Sequence, residues 1–305
     1  MSRYQKELKL GINVVKDALK VINWVKLNGF SSFQKLDESP VTTADIASQV
    51  LITSNIKKNF PGDLIIAEES DTFMDIQTEH IIQKCFTELN LEDTFNHREI
   101  LNYGGLNNDR QWTIDPIDGT QGFLEGLVYA VGISFFKKSD LKLAVIGIPN
   151  YNDKGQAIFI AEKERGAEAS YGENEFKPIK VSTKDNLEES LLYHSLHYDK
   201  PWVEKFAKSV GIKNKIQIDS MAKFCKIADG SADLYLKPID KIHSYSWDFS
   251  PGALIVQEAG GKISDLYGAP IQFLKDKLIC NTPGLVASNS NLHLEIIKNL
   301  RKIKF

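Results

Sequence analysis

Carboxylates gather at a few places in this 305-residue chain, and one of the densest is Trp112-Thr113-Ile114-Asp115-Pro116-Ile117-Asp118-Gly119-Thr120. Trp112 to Ile114 reads as a strand end, stopped at Pro116, which has no N–H to give to a ladder. Asp118-Gly119-Thr120 reads as a helix start, with Asp118 as its cap. The free amides of Gly119 and Thr120 then face the same spot as the two carboxylates, a ready anion site. Two carboxylates ~4 Å apart repel by roughly 4 kcal/mol at an effective dielectric of about 20. A cation relieves that repulsion, and a cation beside an anion-binding helix start points to phosphate chemistry. The bland alternative is an acidic turn that only caps a helix.

Three further stretches carry acids in suggestive places. Glu68-Glu69-Ser70 follows the apolar run Leu64-Ile65-Ile66. Neighbours on a strand point to opposite faces, so Glu68 and Glu69 are not both expected to ligate one ion. Thr42-Thr43-Ala44-Asp45 opens a helix, with Asp45 in the first turn, where the helix dipole favours a carboxylate. Trp247-Asp248 precedes the helical run Gly252 to Ala259, which ends in Gly260-Gly261.

An acidic strand end, a DPIDGT corner and a WD helix start, in this order, resemble the inositol monophosphatase superfamily of lithium-sensitive, magnesium-dependent phosphatases. The fuller forms Ser39-Pro40-Val41-Thr42-Thr43-Ala44-Asp45 and Asp115 to Gly126 are similar to its 3'(2'),5'-bisphosphate nucleotidase branch. The resemblance runs from about Asp45 to Ala287. It implies a layered α-β-α-β-α sandwich and a metal cage of Glu68, Asp115, Asp118, Asp248 and the Ile117 carbonyl. It selects Glu68 over Glu69, which is left as a supporting or solvated acid. All these ligands are oxygens, which favours magnesium over zinc. Two or three Mg2+ ions would clamp the phosphate and the attacking water. Inhibition by Li+ follows from the resemblance, and inhibition by Ca2+ from its longer, looser coordination.

The resemblance also implies that Asp45 and Thr120 handle the attacking water, and that Gly119, Thr120 and Asp248 line the substrate. His197, Ser220, Lys223 and Lys237 match the family's nucleotide contacts, with Lys223 as a full charge that meets a 5'-phosphate. The implied reaction removes the 3'-phosphate of adenosine 3',5'-bisphosphate, with the sulfate-carrying nucleotide as a second substrate. An inositol phosphate phosphatase and a catalytically dead metal or nucleotide sensor are the rivals. The chain departs from the branch at Gln121 and Glu125, where relatives usually carry positive charges. It departs again at Phe249-Ser250-Pro251-Gly252, where Pro251 is expected in a first helical turn.

The elements that must hold these residues follow from the apolar pattern. Leu8, Ile12, Val15, Leu19 and Ile22 mark an amphipathic helix ending near Gly29. Ser31 to Pro40 is polar and reads as mobile. A helix runs from Thr42 or Thr43 to about Asn59. The stretch from 71 to about 108 is either a lid or decoration. Val131 to Phe136 and Leu143 to Ile148 form a hairpin, and Gln156 to Ala161 and Phe176 to Val181 extend it as a meander. Beyond Ser182-Thr183 strands and helices alternate: Leu191 to Tyr193, Trp202 to Val210, Lys215 to Ile218, Ala222 to Ala228, Leu234 to Lys237. A hairpin around Gly268, a strand Leu285 to Ala287 and a terminal helix close the chain. The fold class is α/β, divided into an α+β domain of residues 1–183 with most metal ligands and an α/β domain of 184–305 with the substrate contacts and Asp248.

Composition sets the limits. Apolar residues make up 42% and charged residues 25%, as in ordinary globular proteins, and a net charge of -3 gives no field for nucleic acid. Cys85, Cys225 and Cys280 are widely spaced and odd in number, which fits a reducing cytosol. The N-terminus lacks a signal-peptide core, and the apolar run Tyr129 to Phe136 is too short to cross a bilayer as a helix. A cytoplasmic enzyme of a small phosphorylated nucleotide is the expectation, with no membrane and no required protein partner.

Overall fold

The computed structural model describes all residues except 1–2, 152–154, 173–174, 240–243 and 275. A seven-stranded sheet runs in the order Asp63–Ala67, Asn107–Asp118, Ala130–Lys137, Asp140–Ile148, Ala157–Glu162, Gly166–Tyr171 and Lys177–Pro178. Its first pair is parallel and the rest are antiparallel. Strand alternation explains the continuous apolar run in Ala130–Lys137. Val131, Ile133 and Phe135 pack beneath the helix Gln5–Asn28 and share one apolar core with it and with the helix Thr43–Asn59. Ala130 faces the other way, and Ser134 accepts a hydrogen bond from Ser250 at 2.9 Å. Gly132 lies on that second face because a Cβ there would stand 2.4 Å from Met221 Sδ.

A five-stranded sheet follows in the order Asn214–Gln217, Leu191–His194, Leu234–Pro238, Gly284–Ser288 and Lys262–Asp265. The first three strands are parallel, and Gly284–Ser288 runs antiparallel to both its neighbours. The helices Ala222–Ala228 and Ser246–Glu258 fill the space between the two sheets and share one apolar core with both. Pro201–Ser209 and His293–Leu300 cover the outer face of the second sheet. The stack is therefore helix, sheet, helix, sheet, helix, the expected α/β sandwich. Among the described residues no helix is long and apolar enough to cross a membrane.

Several local expectations need correction. Ser31 to Pro40 is not a loose loop: Ser32–Gln34 and Pro40–Thr42 pair as an antiparallel hairpin. The 71–108 stretch holds the helices Ile76–Glu88 and His97–Leu101, which bury Ile82, Cys85, Phe86 and Ile100 in the first core, so it is packed structure and not a lid. The meander contains a further strand, Gly166–Tyr171, whose small residues Gly166, Ala167 and Ala169 hid it. Gly268 sits in a turn with φ 90°, while the hairpin lies nearby between Gln272–Leu274 and Lys277–Ile279. The Ser246–Glu258 helix starts earlier than read, so Pro251 falls in its second turn and leaves the Trp247 carbonyl without the usual N–H.

Candidate active site

The strand Asn107–Asp118 does not stop at Pro116. It pairs with Ala130–Lys137 through Asp115 opposite Gly132 and resumes with Asp118 opposite Ala130. Pro116 and Ile117 therefore face only Val131, which is a β-bulge, a position that tolerates a missing N–H. On a regular strand, residues three apart point to opposite faces. The extra residue corrects the phase and brings Asp115 and Asp118 to one side. The next helix, Thr120–Leu124, is capped not by Asp118 but by Gly119 at φ 91°. The Asp118 carboxylate instead accepts the backbone N–H of Met221, from the second half of the chain.

Asp248, in the first turn of Ser246–Glu258, completes a cluster with these two. Oxygens of Asp115, Asp118 and Asp248 lie within 4.8 Å of one another. Burial, and then the charges of Glu68, Asp118 and Asp248, push the Asp115 carboxyl well above its ordinary range. Burial followed by Glu68 and Asp118 does the same to Asp248, opposed by Lys237. Asp118 rises to about 6, raised by burial and held back by Lys223, the Met221 N–H and Lys237. Among the described residues neither oxygen of Asp115 has a hydrogen-bond donor, although the residue is 1% exposed. Buried carboxylates are almost always paired or bound to metal. The donor set fits a hard cation with oxygen ligands.

Beside the cluster, Thr42 caps the Thr43–Asn59 helix and its backbone N–H and hydroxyl both bond Asp45 Oδ2, at 2.8 and 2.5 Å. The other oxygen, Oδ1, accepts from Thr120 Oγ1 at 2.9 Å. Thr120 Oγ1 is also 3.0 Å from the Ile117 carbonyl, so one proton is shared between two acceptors. Asp45 is fully buried, and burial raises it to about 6 against the Thr42 hydrogen bonds.

Glu68 and Glu69 do not part company as strand neighbours would, because the strand ends at Ala67. Both reach the ammonium of Lys35, at 2.8 and 2.6 Å. Glu69 is buried rather than solvated, and burial with the Glu68 charge raises its carboxyl well above the usual value. Lys35 lies in the polar stretch Ser31 to Pro40, whose composition gives no sign of a buried charge. Burial works against its charge, yet Glu68 and Glu69 hold its pKa above the usual lysine value.

On the nucleotide side, Gly119 and Ser220 face each other: a Cβ on Gly119 would stand 3.3 Å from Ser220 Cβ. Lys223 is buried, donates to the Ile218 carbonyl at 2.6 Å and lies 5.3 Å from the Tyr235 ring centre. Burial and then Lys237 lower its pKa to about 7, while Asp118 and Asp219 work the other way. Lys237 lies 5.3 Å from the Tyr198 ring centre. His197 contacts the Asp219 carboxylate through Nδ1. Asp219, which the sequence reading passed over, also receives the Leu196 N–H at 3.0 Å. The fold thus brings together acids from residues 45 to 248 and a second group of polar residues from 197 to 237.

The inositol monophosphatase family model matches residues 4–304. The chain belongs to the inositol monophosphatase family. This family is metal-dependent, in keeping with the acidic cluster. Within it, the chain is 31% identical to the 3'(2'),5'-bisphosphate nucleotidase of Emericella nidulans, over 88% of this chain and 90% of the relative. It is 29% identical to the Schizosaccharomyces pombe protein of the same name, over 97% and 95% of the two chains. The 3',5'-bisphosphate nucleotidase 2 of Arabidopsis thaliana is 28% identical, with 98% and 97% covered. The fold matches the inositol monophosphatase structures from Anabaena (TM-score 0.69, 19% identity, 99% and 98% covered) and Thermotoga maritima (TM-score 0.68, 23% identity, 99% and 98% covered).

Proposed function

We propose that this chain is a magnesium-dependent phosphomonoesterase that removes the 3'-phosphate of adenosine 3',5'-bisphosphate to give AMP. The sulfate-carrying nucleotide is a second substrate. The observation that carries the metal part is the buried Asp115 carboxylate, without a hydrogen-bond donor among the described residues, beside Asp118, Asp248 and Glu68. The names of the relatives support the nucleotide part. Glu68, Asp115, Asp118, Asp248 and the Ile117 carbonyl would hold two or three Mg2+. The bound ions supply positive charge to the phosphate and acidify water.

The chain's own residues do the rest. Thr120 orients the attacking water through its hydroxyl, and Asp45 Oδ1 accepts the proton, directly or through Thr120. Gly119 lets the backbone come close to the phosphate. Lys223 and Lys237 flank Asp118 and are the cations for a second phosphate, with Lys223 gaining full charge as that phosphate arrives. This paired site favours a bisphosphate over an inositol monophosphate. His197 packs against the base and Ser220 lines the pocket. We read residues 1–183 and 184–305 as two domains with the site at their seam, in a cytoplasmic enzyme that needs no protein partner. Li+ and Ca2+ should inhibit. Comparing kcat/KM for adenosine 3',5'-bisphosphate and for inositol phosphates, with magnesium, tests the reading; a preference for inositol phosphates would overturn it.

A further inference from the structure

A chain of polar contacts leads to His197 from Glu125, a residue that the reaction described above does not use. Glu125 sits just past the Thr120–Leu124 helix, at its C-cap. A carboxylate is electrostatically misplaced there, because the helix end is already negative. It is held by two partners instead. Gln121 Nε2 donates to Glu125 Oε1 at 2.5 Å, and His197 Nε2 lies 3.3 Å from the same oxygen. The other ring nitrogen, Nδ1, meets Asp219. Asp219 also receives the backbone N–H groups of Leu196 and His197, at 3.0 and 3.3 Å. The His197 ring is therefore gripped at both nitrogens, from the Thr120 helix on one side and from the Asp219 loop on the other.

A histidine with both nitrogens engaged has no nitrogen left for a ligand. It offers its face and its carbon edge, which suit a flat aromatic ring rather than a polyol. Resting on the nucleotide reading above, we propose that Glu125 is a positioning residue that fixes His197 as a platform for the base and so selects substrates carrying one. The side chains are 29% and 39% exposed, so the pair adds little to stability. Orienting one ring needs no more than such a contact.

The test is steady-state kinetics of the full chain with magnesium, using adenosine 3',5'-bisphosphate and ribose 3,5-bisphosphate, which lacks the base. Glu125→Ala is expected to raise KM for the nucleotide about two- to five-fold with kcat unchanged, and to leave KM for the base-free compound alone. Glu125→Gln keeps an acceptor oxygen and is expected to restore most of the nucleotide affinity. In a His197→Ala background the Glu125→Ala loss is expected to vanish, since coupled residues are not additive. The 15N resonance of His197 Nε2 is expected to move in Glu125→Ala. Equal losses on both substrates, a loss that persists without His197, or an unmoved Nε2 resonance would each overturn the proposal while nucleotide turnover stands. If the unaltered protein hydrolyses neither compound, the nucleotide reading itself fails, and the role of Glu125 goes with it.

Discussion

Thr120 Oγ1 donates to Asp45 Oδ1 across 2.9 Å, joining the start of a short helix to the first turn of a distant one. The hydroxyl proton is aimed at a carboxylate whose other oxygen is already bonded twice to Thr42. That leaves Oδ1 as the Asp45 oxygen for the proposed proton transfer. Thr120→Val keeps the shape and removes the donor. It is expected to lower kcat about a hundred-fold or more with little change in KM. Single-turnover phosphate release measures this, and an unaltered kcat would remove the pair from the proton path.

Lys35 is the counter-charge of two acids. Its loss takes the 2.6 Å contact away from the buried Glu69 carboxylate. Breaking a buried pair from one side typically costs about 3 to 5 kcal/mol. Metal-free Lys35→Ala is expected to melt several degrees below the parent, and saturating magnesium to recover part of the difference. The comparison belongs at the alkaline end of the stable range, where Glu69 does not escape by taking a proton. Equal melting temperatures without metal would show that Lys35 is not a counter-charge.

Lys223→Ala should act on binding. Charge-assisted contacts of this kind contribute about 1.5 to 3 kcal/mol, so KM for adenosine 3',5'-bisphosphate is expected to rise roughly ten- to hundred-fold. An inositol monophosphate, with no second phosphate, should lose far less. Equal losses on both would mean that Lys223 supports the fold through the Ile218 carbonyl and does not bind the second phosphate.

Much of this arrangement was legible in the chain. The capped helix carrying Asp45, the paired acids at 115 and 118 and the alternation beyond residue 183 follow from spacing and local chemistry, whereas Glu68 and Asp248 join them only through the family resemblance. The bulge at Pro116 was not, because two residues opposite one is a property of the pairing, and the partner strand is invisible from the motif. Lys35 was missed for a similar reason. A polar stretch with Lys, Asp and Glu looks like a solvated loop until its hairpin is seen folding over Glu68 and Glu69. Glu125 looked like a lost positive charge, and only the position of His197 shows what it touches.

His293 gives a pH test away from the acids. It is buried, with ring nitrogens 2.9 and 2.8 Å from Ser264 and Ser288. Burial, and then Lys262, lower its pKa to about 4 from an ordinary 6.5. The unfolded chain therefore binds the proton first as pH falls. The stability is fully present above about 6.5 and is lost as pH drops toward and through 4, by roughly 3 kcal/mol. Denaturant midpoints at pH 7 and pH 4.5 should separate more for the parent than for His293→Gln. An identical pH dependence in the two proteins would assign the acid loss elsewhere.

The most direct measurement follows adenosine 3',5'-bisphosphate by 31P NMR in the presence of magnesium. The 3'-phosphate signal is expected to fall as inorganic phosphate appears, with the 5'-phosphate of AMP untouched. Chelation of the metal, or Asp118→Asn in a protein that remains folded, is expected to stop it. Loss of the 5'-phosphate, full turnover after chelation, or no phosphate release at all would contradict the account.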